Sequence, residues 1–220
     1  FYAEYIEFKT QDLLESQKYS KKVFARCELL CKALLESEID VKKRLLMLFK
    51  LLYSVDKIQA AIINIRSESS VKLATGLEIL DRTLDLDIKS TILNILDRRS
   101  SQEKLSALVE ARIIEYQQMP IENRIYQLLL IENSLSEWCL ACCFHLSEMA
   151  RISLSTSQVL KSISHPTGFV REAAIAYLKI ASPRILSEIL PQIKNDPHPL
   201  VLAQVREFVK EHEIKIEDFA

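Results

Sequence analysis

The stretch Trp138-Cys-Leu-Ala-Cys-Cys-Phe-His-Leu146 falls on Val170-Arg-Glu-Ala-Ala-Ile-Ala-Tyr-Leu178, and that in turn on Val201-Leu-Ala-Gln-Val-Arg-Glu-Phe-Val209. The starts, 138, 170 and 201, lie 32 and then 31 residues apart. Each copy follows a polar or proline-containing turn: Asn133-Ser-Leu-Ser, His165-Pro-Thr-Gly and Asp196-Pro-His-Pro. The first two copies are followed by a second apolar-periodic segment, Val159, Leu160 and Ile163 after one, and Ile185, Leu186, Ile189, Leu190 and Ile193 after the other. A fixed period near 31 predicts helix pairs that cannot bury their apolar stripes alone and stack on their neighbours as a solenoid. Ala141, Cys142, Ala173 and Ala174 are small residues placed where neighbouring helices approach closely.

Outward from this core, apolar residues recur at three- and four-residue spacing, and no run alternates with period two long enough to make a sheet. The chain reads as all-α. Helices are expected near Tyr2 to Tyr19, Lys21 to Leu35, Val41 to Tyr53, Asp56 to Ile65, Val71 to Leu84, Ile88 to Asp97 and Gln102 to Gln117. Polar caps at Asp40, Ser70 and Ser100 mark three starts, the last with Glu103 in the capping-box position. All six prolines lie beyond residue 119 and cut the second half into short helices. A fainter copy of the repeat, Val71-Lys-Leu-Ala74 followed by Ile88 to Leu96, suggests that it extends upstream. Three portions result: N-terminal helices over 1–66, degenerate repeats over 67–132 and clear repeats over 133–220, with one continuous solenoid as the alternative. Ile214 to Ala220 reads as a terminal cap or a frayed tail.

These residues resemble short HEAT-like repeats: Phe169 to Leu178 looks like a first helix, and Asp196-Pro197-His198-Pro199-Leu200-Val201 like a leading turn. The resemblance implies an α-solenoid with a role in protein–protein interaction or scaffolding. The family pattern has Asp in the turn and Arg after the Val, joined in a hydrogen-bonded ladder between repeats. Here Asn133 and His165 stand for Asp196, while Cys139 and Leu202 stand for Arg171, so no unit holds both members and the ladder is expected to fail. A narrower likeness, over Ala74 to Leu84, Asp87 to Leu93 and the downstream repeats, is to helical domains that follow the membrane portion of bacterial transporter-like proteins related to nucleotide carriers. Phe1 at the start and the lack of a basic-then-apolar leader fit a piece of a larger protein without a secretory signal.

Composition excludes several chemistries. Two glycines cannot build a phosphate-cradling loop or a dinucleotide-binding turn. A formal charge of -1 gives no global pull toward nucleic acid or anionic membrane. The longest apolar run is broken by Lys50, short of a spanning segment. Five cysteines, an odd number, point to reduced thiols in a cytosolic setting, or on the cytoplasmic face of a membrane. Cys139-x-x-Cys142, with Cys143 and His145, and Cys27-x-x-x-Cys31 have spacings that a zinc site could use, but they fall inside apolar helices where the repeat uses Ala, so they read as core thiols. His145 matches the ring position of Tyr177 and Phe208; His165 and His198 flank prolines in turns; no metalloprotease spacing involves them or His212. Trp138, in place of Val170, reads as filler of an inter-repeat gap. The basic clusters Lys18, Lys21, Lys22 and Arg26, and Lys42, Lys43 and Arg44, carry acidic neighbours and read as solvated surface.

The expected function is non-catalytic: a scaffold or regulatory module that binds another protein or the transporter portion of its own polypeptide. No cofactor, metal, catalytic group or small-molecule substrate is expected. The expected partner-facing residues are Gln158, Lys161, Arg184 and Glu188, on the second helices, opposed to Leu160, Ile163, Ile189 and Ile193. The alternatives are a helical-repeat nucleic-acid binder and a HEAT-like lyase or glycosylase type of enzyme.

Overall fold

The structure, a computed structural model, describes residues 21–212. The helix expected over Tyr2 to Tyr19 and the tail from Ile214 lie outside them. Among the described residues the secondary structure is all-helical, eleven α-helices and no strand. They are α1 Lys21–Leu52, α2 Val55–Arg66, α3 Ser70–Thr83, α4 Lys89–Leu96, α5 Ser101–Glu110, α6 Ile121–Leu130, α7 Glu137–Ala150, α8 Thr156–Ile163, α9 Gly168–Ala181, α10 Pro183–Ile193 and α11 Pro199–Glu211, with a 3-10 turn at Glu132–Ser134. None of these helices is long and apolar enough to cross a membrane.

Where the sequence predicts a break at Asp40, α1 runs straight through. Glu36-Ser-Glu-Ile-Asp40 contains neither Gly nor Pro. Asp40 pairs with Arg44 at 2.6 Å and Glu38 with Lys42, one turn apart along the helix, so these charges support its interior instead of capping a start. The cap before α3 is Ser69, not Ser70, its side chain accepting from Lys72 N. Ser100 and Glu103 form the expected capping box. Yet α5 stops at Glu110, short of the expected Gln117, because Arg112 takes a left-handed conformation with φ 54. Ile113 N then donates to Leu108 O at 3.0 Å, the crossed bond of a Schellman close. No glycine announces this stop.

The chain divides into two compact units. Within 34–118, Leu46, Phe49, Ile58, Ala61, Ile62, Leu80, Leu84, Ile92 and Leu96 form one buried cluster. Gly76 allows α3 to approach α2: a Cβ there would lie 2.9 Å from Ala61 O and from the Ile65 side chain. Met47, Leu48, Leu51 and Leu52, on the last turns of α1, remain exposed, Leu51 at 81%.

Within the second unit, residues 21–33 with 119–212, α9 packs against α7, α8, α10 and α11. The N-caps of α7, α9 and α11 are Ser136, Thr167 and His198, so both spacings are 31 residues. The first copy therefore slips by one residue from the sequence alignment. Cys139, Val170 and Val201 now coincide, as do Cys143, Ala174 and Val205, and Leu146, Tyr177 and Phe208, and all nine are buried. Two assignments are corrected. Trp138 does not fill a core gap but is 50% exposed, set edge-to-face on Phe169 with ring centroids 5.8 Å apart. His145 does not take a ring position; Leu146 does.

A single polar contact of the expected kind does form, although Cys139 and Leu202 leave no second one. Arg171 donates through Nε and Nη2 to both oxygens of Asp196 at 2.7 Å, and through Nη1 to the carbonyls of His165 and Pro166 at 2.8 Å. The bond joins α9 to the turn before α11, so a comparison of Arg and Asp within one 31-residue segment does not find it. The imidazole of His198 lies over the start of α9, where a Cβ on Gly168 would come within 2.1 Å of the ring.

Candidate functional site

The second unit presents three arrangements that bear on function. The first is a ledge at the second residue of α7, α9 and α11: Trp138, Phe169 and Leu200, spaced 31 residues apart. Trp138 and Leu200 are about half exposed and Phe169 partly so. Helix N-termini hold these side chains in place, because Ser136 accepts from Cys139 N at 3.2 Å and Pro199 begins α11.

The second is a buried-edge polar network. His145 Nδ1 lies 3.5 Å from Glu148 and Nε2 lies 3.5 Å from Glu172, so one imidazole on α7 bridges its own helix and α9. Gln204 on α11 donates to Glu172 at 2.9 Å and extends the chain to a third helix. The bond to Glu148, then that to Glu172, raises the His145 pKa to about 9 against the opposing pull of burial. Burial pushes the Glu172 carboxyl up, but the charged ring and Gln204 outweigh it, and it lies below its ordinary value.

The third is a cleft at the C-terminal ends of α7 and α9, bordered by Glu148, Arg151 and Ser153, with Ile152, Tyr177 and Ile180 among its walls. The Tyr177 hydroxyl accepts from Leu154 N at 2.7 Å and donates to Ile152 O at 3.1 Å, which pins the segment after α7 against α9. Arg151 closes α7 in the left-handed region, φ 55, with Ile152 N bonded to Ser147 O at 2.9 Å. The sequence signalled neither: Tyr177 reads as a core ring, and a left-handed cap without Gly or Asn leaves no mark.

The four expected partner-facing residues are scattered over two helices. On α8, Lys161 is exposed and pairs with Glu132. Gln158 is half-buried and its Oε1 is shielded from solvent without a hydrogen-bond partner. Leu160, expected inward, is exposed, because Val159 and Ile163 form the buried stripe. On α10, Arg184 and Glu188 lie one turn apart and are both exposed, while Leu186, Leu190 and Ile193 are buried.

The cysteines are buried. Burial, with Cys139 nearby, drives the Cys142 pKa up to about 11 and that of Cys143 well above its ordinary value. Such thiols stay protonated at neutral pH and are poor nucleophiles and poor ligands. In the first unit, burial first and Lys42 second push Lys104 down to about 8, with Glu38 3.7 Å away opposing them.

Comparison with protein-family models, curated proteins and solved structures finds no match to this chain.

Proposed function

We propose that the chain is a non-catalytic scaffold that binds another protein, its C-terminal half a short stack of HEAT-like helix pairs. The observation that carries this is the ledge of Trp138 and Leu200, about half exposed, with Phe169 partly exposed between them, 31 residues apart in sequence and each next to a fully buried Cys139, Val170 or Val201. Exposed large side chains in a row cost solvation, and such a row is typical of a surface that a partner covers. Arg184 and Glu188 on α10, with Lys161 and Gln158 on α8, supply a polar border to the bound partner. In the first unit, Met47, Leu48, Leu51, Leu52 and Val55 form a second exposed apolar surface of the same character.

The test begins with photo-crosslinking from position 200 to identify the partner, followed by affinity measurement with both proteins purified. Trp138→Ser with Leu200→Ser should weaken that affinity by about tenfold or more. Arg184→Ala with Glu188→Ala should weaken it less. Both double variants should keep the melting temperature of the parent. Undiminished affinity in the ledge variant would sink the proposal.

A further inference from the structure

The cleft between the C-terminal ends of α7 and α9 is independent of the ledge and of the scaffold reading. Its volume is about 430 Å³, a size suited to a small organic molecule. Its lining includes Ile152 and Tyr177, each nearly buried, and the exposed Ile180. It also includes two opposite charges one helical turn apart, Glu148 and Arg151. They do not neutralise each other. Glu148 turns Oε2 to His145, leaving Oε1 uncommitted, and Arg151 has no ion-pair partner among the described residues. The position of Arg151 is costly, since a left-handed close favours Gly by about 1 kcal/mol. An arginine thus lines the cleft where the backbone alone would favour glycine.

We propose that this cleft binds a small zwitterion with an apolar side chain, an α-amino acid of the leucine type. Its ammonium group sits on Glu148, its carboxylate on Arg151, and its side chain on Ile180 and the exposed edges of Ile152 and Tyr177.

The experiment titrates the whole chain with L-leucine, N-acetyl-leucine and leucinamide at millimolar concentration and follows the amide resonances of Ile152 and Ser153 by NMR. Leucine should shift them saturably, and each single-charge analogue should bind about tenfold more weakly or worse. Arg151→Gly relieves the backbone, so its melting temperature should equal or exceed that of the parent while leucine affinity falls to that of leucinamide. Arg151→Gln, which keeps the strained backbone and removes only the charge, should lose affinity to the same extent, and Arg112→Gly, the equivalent relief far from the cleft in sequence, should leave it unchanged. No shift with leucine, equal shifts with leucine and leucinamide, or full affinity in Arg151→Gln would each overturn the proposal.

Discussion

The molecule's two glycines sit at two helix contacts of different kinds. Gly76 lets α3 meet the backbone of α2 directly: a Cβ would press on Ala61 O, the Ile65 side chain and Asn64 Cβ, within a cluster of aliphatic side chains. Gly168 instead makes room for an imidazole, and that imidazole belongs to a turn whose neighbour Asp196 holds Arg171. The first contact is helix against helix, with a carbonyl oxygen of α2 as the limit, an atom that cannot swing aside. The second seats a polar joint whose members must all be in register, and a methyl group there displaces more than itself.

The largest expected effect tests this difference. Gly168→Ala should destabilise the chain by about 3 kcal/mol, because the new carbon meets ring and Cβ atoms of His198 together. Gly76→Ala should cost about 2 kcal/mol, the gain in helix propensity offsetting only part of an overlap with backbone that no side-chain rotation relieves. Urea denaturation of the pair decides it. Adding His198→Ala to Gly168→Ala should recover most of the loss; no recovery would mean that the backbone, not the ring, sets the limit.

Next is the joint itself. Asp196→Asn breaks a bidentate pair whose side chains are only 9% and 12% exposed, and should cost about 2 kcal/mol at neutral pH. Arg171 holds the Asp196 carboxyl below its ordinary value of 3.8. The stabilisation is therefore present above that value and is lost as pH falls through the depressed one, so the gap between parent and variant should close in acid. A gap that persists in acid would show that Asp196 acts through the hydrogen bond it accepts from His198 N at 2.8 Å, not through Arg171.

His145 gives the opposite pH sign. Its folded pKa of about 9 stands above the ordinary 6.5, so its contribution is complete below 6.5 and disappears as pH rises through 9. With the ring 29% exposed and the Glu172 shift part of the same interaction, about 2 kcal/mol is expected. Stability measured from pH 6 to 10 should fall in the parent, and that fall should be absent in His145→Gln. An identical slope in both would place the ionic bridge outside the stability of this region.

How far these contrasts could be read in advance follows from which interactions leave a local mark. Helical periodicity, the Ser100–Glu103 box and the small residues at Ala173 and Ala174 are properties of short windows, and they announced an all-helical chain. The slip that moved Cys139 onto Val170 did not show, because Trp138 and Cys139 are both apolar enough to match Val and only burial distinguishes them. The Arg171–Asp196 bond was missed through comparison within one 31-residue segment, when it joins α9 to the turn before α11. The candidate sites were legible least. His145 lies between carboxylates from two helices and Arg151 ends a helix without glycine, and both depend on partners or conformations that no local spacing encodes.

The smallest effect belongs where the two regions should not differ. Glu78 and Arg82 on α3 pair at 2.5 Å one turn apart, but their side chains are 58% and 77% exposed. Water screens such a pair and ordering two long chains opposes it, so Glu78→Gln should change stability by about 0.3 kcal/mol and less in high salt. The exposed pair Arg184 and Glu188 in the second unit should be as indifferent when Glu188 becomes Gln. If Glu188→Gln instead cost as much as Asp196→Asn, the stability of this unit would depend on surface charge as much as on its buried joint, and the contrast drawn from the two glycines would lose its physical basis.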